Sequence, residues 1–96
     1  MYEVSDKIVA TGNVEKGGNA LKKRGGILGS INIHAATGGA ATVTVRGGGA
    51  AGTVIGEYEV AANTHGGETG IDVPFVAPLH ITIAGTAPDS CYLRYK

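Results

Sequence analysis

Between Gly26 and Tyr58 the chain reads GGILGSINIHAATGGAATVTVRGGGAAGTVIGEY, three alternating runs divided by glycine-rich breaks. Ile27, Ile31 and Ile33 share one parity, with Gly29 between them. Val43 and Val45 oppose Thr42 and Thr44. Val54 and Tyr58 oppose Ile55, Glu57 and Glu59. Successive side chains of a strand point to opposite faces, so a period of two predicts consecutive half-buried strands. No segment has the length and period of a helix long enough to cross over between parallel strands, so antiparallel pairing is expected.

The same reading extends along the chain. Tyr2, Val4 and Ile8 can share one face of a first strand or extended arm, and Gly12-Asn13 is a turn signal. Residues 13–26 read as a polar loop in which Asn19 could cap one helical turn through Arg24. Residues 61–70 read as another loop. Ile71, Val73 and Phe75 follow on one parity, with Pro74 marking an edge or a bulge. Leu79, Ile81 and Ile83 alternate with His80 and Thr82. Leu93 and Tyr95 oppose Tyr92 and Arg94. Ile31-Asn32-Ile33 and Ile81-Thr82-Ile83 resemble each other as two strands in similar surroundings. About seven or eight short strands with regular turn signals predict an all-β chain, a single small antiparallel β-sandwich or barrel. The expected division is an N-terminal arm over residues 1–24 and the β domain over 25–96.

With 96 residues, 17 of them glycine and few aromatic, the core is modest, and burial against a partner or a second copy is expected to help. The formal net charge is zero, against the basic excess of free-standing nucleic-acid binders, so no nucleic-acid partner is expected. The one basic cluster is Lys22, Lys23 and Arg24, either a solvated loop or a contact for an acidic partner surface or phosphate. Cys91 is the only cysteine, excluding an intrachain disulfide, and its apolar run predicts a buried side chain. No apolar run approaches the roughly 20 residues of a membrane span, so no membrane partner is expected. No signal-peptide pattern is read at the N-terminus, so synthesis in a cytoplasm without a cleaved signal is expected.

Candidate chemistry is sparse. His34, His65 and His80 are far apart in sequence, and none has a second ligand at a familiar spacing. His34 and His80 fall on the wet faces of their strands and could meet if those strands pair. Glu57 and Glu59 point the same way, but a glycosidase pair needs an aromatic-lined cleft, which this composition does not supply. Gly47-Gly48-Gly49 is followed by no Lys-Ser or Lys-Thr and no helix, so it is not a phosphate-binding loop. Ser5, Ser30 and Ser90 lie in no nucleophile elbow. No catalytic, cofactor-binding or metal-ligating set is expected, and the chain reads as a non-enzyme.

The succession Gly26-Ile27-Leu28, Ala41-Thr42-Val43-Thr44-Val45, Gly52-Thr53-Val54-Ile55, Val73-Pro74-Phe75, Ile81-Thr82-Ile83 and a tyrosine-rich end resembles small all-β virion accessory proteins of tailed bacteriophages, of the capsid decoration or cement type. The resemblance covers roughly residues 25–96 and rests on strand and turn patterns. It implies a jelly-roll-like β-sandwich without catalysis. It also implies a homo-oligomer, with a trimer favoured, bound to the major capsid protein on the capsid surface of the virion. Partner contacts are then expected at Tyr2, Val4, Ile8, Lys22, Lys23 and Arg24. Deleting residues 1–24 should leave a folded domain that no longer binds capsids. A tail, baseplate or fibre-tip component shares the fold. A carbohydrate-binding module is a further alternative, its platform drawn from Tyr2, Tyr58, Tyr92 and Tyr95.

Overall fold

The structure is a computed structural model and describes residues 2–21 and 25–96. The described residues form eleven strands and no helix: β1 (Glu3–Val4), β2 (Gly12–Asn13), β3 (Glu15–Lys16), β4 (Asn19–Ala20), β5 (Gly26–His34), β6 (Ala41–Gly47), β7 (Thr53–Val60), β8 (His65–Glu68), β9 (Val73–Phe75), β10 (Leu79–Gly85) and β11 (Ser90–Tyr95). All pairings are antiparallel. One sheet has the order β1-β11-β5-β8, with β9 on the other half of the β5 edge; a second has the order β2-β10-β6-β7. The all-β expectation therefore holds, and the two sheets share one apolar core.

That core takes Leu28, Ile31 and Ile33 from β5, Cys91, Leu93 and Tyr95 from β11, Val43 and Val45 from β6, and Leu79 and Ile81 from β10. The similarity between the Ile31 and Ile81 runs has a plain cause. Both lie on inner strands, β5 between β11 and the β8/β9 edge, and β10 between β2 and β6.

Two bulges break the parity read from the sequence. Along β11 the partner jumps from Ser30, opposite Arg94, to Leu28, opposite Tyr95, so Gly29 is the unpaired residue. The extra residue inverts the faces beyond it. Leu28, not Ile27, joins Ile31 and Ile33, at 0% exposure, while Ile27 is only half-buried. On β7 the partner of β6 jumps from Gly56 to Val54. Ile55 thereby packs on the core, although it shares the parity of the exposed Glu57 and Glu59. Asp72, with a φ of 47°, turns the chain just before β9. Beyond it Val73 and Phe75 keep one parity, opposite Leu28 and Gly26; Phe75 is buried, and Val73 is 37% exposed at the sheet edge.

The expected boundary at residue 24 has no counterpart in the packing. Ile8, Val14 and Leu21 belong to the same buried cluster as the rest of the core. The backbone is stitched across both sheets: Ser5 N–H to Leu93 O (2.8 Å), Ile8 N–H to Cys91 O (2.9 Å) and Val14 N–H to Leu79 O (2.8 Å). The Ser5 hydroxyl accepts the Leu93 N–H at 3.0 Å, extending the ladder where β1 ends. Residues 2–9 thus run beside β11 and residues 12–14 beside β10. Gly12-Asn13 is a strand rather than a turn.

The helical turn expected from Asn19 is replaced at Asn19–Ala20 by a hairpin strand pairing with Glu15–Lys16; Lys22, Lys23 and Arg24 lie outside the described residues. The hairpin turns at Gly17 and Gly18, whose φ values of 63° and 82° suit a two-residue loop. Their N–H groups donate to the two carboxylate oxygens of Asp6 at 2.9 and 2.8 Å, holding that carboxyl below its ordinary range, with Lys16 adding a smaller pull. A group with a lowered folded-state pKa stabilises above its unfolded value, and that contribution is lost as pH falls through the folded value. Asp6→Asn is expected to lower the urea midpoint at neutral pH, and the gap to the unmodified chain should close below about pH 4. An equal gap near pH 2 would contradict this.

Candidate functional site

Cross-strand rows define the outer face of the first sheet. Val4 lies beside Arg94 and Ser30; Tyr92 beside Asn32 and Gly67; Ser90 beside His34 and His65. Tyr2 closes one end. Its hydroxyl donates to the Asp72 carboxylate, and the Lys96 ammonium stands 4.8 Å from its ring centroid, a cation–π contact. The bond to Asp72 is the main cause that raises the Tyr2 phenol above its usual range, followed by desolvation and the carboxylate charge. Gly29 makes the seat: a Cβ there would fall 2.4 Å from a Tyr2 ring carbon. Together with Ser30, Thr69, Gly70 and Arg94, these residues line an open cleft of ≈ 300 Å³.

Of the residues expected to touch a partner, Ile8 is taken up by the domain's own core, while Tyr2 stays 38% exposed. Tyr2 is tied to Asp72, and Ile8 is 9% exposed in the core. Val4 remains on the surface at 39%. Their alternation was legible, but not which sheet the segment would join.

The histidines sort differently from the expectation. His34 and His80 do not meet, because β5 and β10 lie in different sheets. His34 faces His65 instead, ring centroids 4.2 Å apart and planes inclined by 12°. Sequence reading missed this because residues 65–68 carry two glycines and looked like a loop. The strand there is made by pairing with β5, not by propensity. His80, expected on a wet face, is 8% exposed, with its Nδ1 unpartnered among the described residues. Thr44, also expected wet, is 9% exposed, and its hydroxyl reaches Glu57 at 3.4 Å. Among the described residues no group of three or more His, Cys, Asp or Glu is placed to hold a metal ion.

The tyrosines do not form one platform. Tyr95 is buried at 2% exposure, and burial is the first cause of its raised phenol pKa. Tyr58 is paired opposite Val43 and packs against the core. Its hydroxyl donates to Glu68 at 2.9 Å, and burial followed by that bond pushes its pKa up to about 12. Tyr2 is capped by Lys96, which leaves Tyr92, 37% exposed. Cys91 is fully buried, and burial pushes its thiol up to about 12, so at neutral pH it is a packed thiol and not a thiolate nucleophile.

A different surface emerges where the edges of the two sheets meet. Val54, Val73 and Val76 are exposed at 47%, 37% and 69%. They rim an open groove of ≈ 350 Å³, which Ile55, Pro74 and Phe75 also line. β7 is the terminal strand of its sheet. No residue of this groove was singled out as a site from the sequence. Val54 and Ile55 read there as an ordinary alternating pair, and the bulge is what sets them around a shared hollow. Comparison with known protein families, with curated protein sequences and with solved structures gives no match.

Proposed function

We propose that this chain is a non-enzymatic structural protein of a virion, one that decorates and stabilises a tailed-phage capsid by binding the major capsid protein as a homo-oligomer. The strand-and-turn resemblance supports the class. The observation that carries a binding role is the exposed apolar rim of Val54, Val73 and Val76 around the groove at the sheet edges. Exposed apolar surface gathered in one place marks interaction sites. A terminal strand beside it offers main-chain groups to an extended partner segment. Docking therefore moves from the N-terminal segment, whose described part is folded into the domain, to this groove. Each contact adds little, and many copies on a shell make the sum large.

The test is co-sedimentation with undecorated capsids. The unmodified chain should pellet with shells, and Val76→Asp should stay in the supernatant with an unchanged melting temperature, since the Val76 side chain is exposed. A chain that ignores capsids, or a variant that binds at full strength, would overturn the proposal. Light scattering reads the oligomer, for which a trimer is expected.

A further inference from the structure

We propose that His34 and His65 form a two-histidine site for a divalent transition ion of the copper, nickel or zinc class. The pair is built by register. His34 on β5 and His65 on β8 are direct cross-strand partners, with stacked rings 4.2 Å apart. No side-chain hydrogen bond ties either ring to another described residue. Both rings reach solvent: His65 is exposed and His34 half-buried.

The backbone beneath them is fastened on every side. His34 O accepts the Asp89 N–H at 2.9 Å, Ala35 N–H donates to Thr64 O at 3.0 Å, and Asn63 N–H donates to Ala36 O at 3.0 Å. Ser90 holds the other flank of His34. The two Cβ positions are thus set before any ligand arrives, and sites held on strands keep their geometry better than sites on loops.

A neutral imidazole offers one in-plane lone pair, and imidazole suits zinc, copper and nickel. Two nitrogens about 2.0 Å from one ion at right angles stand about 2.8 Å apart. Parallel stacked rings send their lone pairs side by side rather than to one point, so the stack is the metal-free arrangement. The broad second torsion of histidine lets both rings turn edge-inward over the fixed Cβ positions. Water completes the coordination. Copper(II) is expected to bind tightest of the three, following the general order of divalent affinities.

The inference is independent of the capsid reading. Untagged protein is titrated with copper(II) and followed by calorimetry and electron paramagnetic resonance. One ion per chain and a two-nitrogen equatorial signature are expected. His34→Gln and His65→Gln, each with an unchanged melting temperature, should each weaken binding by about ten-fold or more and abolish the two-nitrogen signature. No copper binding by the unmodified chain, or a loss smaller than about ten-fold in either variant, would overturn the proposal.

Discussion

A chain that begins at Gly25 is expected to be unfolded. The truncation removes Ile8, Val14 and Leu21 from the common core, each buried to within 9% of its full surface. Burying such a side chain is worth about 1.5–3 kcal/mol, so the three together contribute roughly 5–9 kcal/mol. The net stability of a natural domain is of the same size, about 5–15 kcal/mol. The truncation also strips β11 and β10 of their outer partners and lays Leu93, Cys91 and Leu79 open to water. Circular dichroism on heating reads the result. A cooperative transition within a few degrees of the full chain would show that residues 1–24 are a dispensable arm after all.

Leu28→Ala is expected to cost about 2–5 kcal/mol, because the removed atoms lose burial and leave a cavity that neighbours only partly fill. For a chain of this length that corresponds to a fall in melting temperature of roughly 10–20 °C or more. Ile27→Ala, one position away, is expected to cost about 1 kcal/mol, because Ile27 is only half-buried. The comparison isolates the bulge at Gly29. A flat strand of the same sequence puts Ile27 inside and Leu28 outside, so thermal melts of the two variants with the reverse ranking would remove the bulge from the native fold.

The two substitutions also mark where sequence reading stops. Along β6, β10 and β11 no bulge interrupts the residues read, and the fully buried positions Val43, Val45, Leu79, Ile81 and Leu93 follow from alternation alone. Alternation fails at Gly29 and Ile55. There one added residue exchanges inside for outside, and no local pattern announces it. Burial on the outer faces is hidden for a related reason: His80 and Thr44 sit where the period predicts water, yet both are nearly covered.

Both candidate surfaces are contacts between distant segments. The histidine pair joins positions 34 and 65 through the β5–β8 register. The groove joins 53–55 with 73–76 where one sheet's last strand meets the other sheet's edge. Neither has a spacing to read, because each exists only after the strands have chosen partners.

The sequence by itself determined an antiparallel all-β chain and most of its inward-facing residues, since period-two patterning is a local consequence of strand geometry. Tertiary structure alone decided that Ile8, Val14 and Leu21 join the core and that His34 meets His65 rather than His80. It also placed the exposed valines around one groove. Strand partnership depends on which non-local pairings bury the most apolar surface with every backbone group satisfied, a condition on the whole chain that no single segment records.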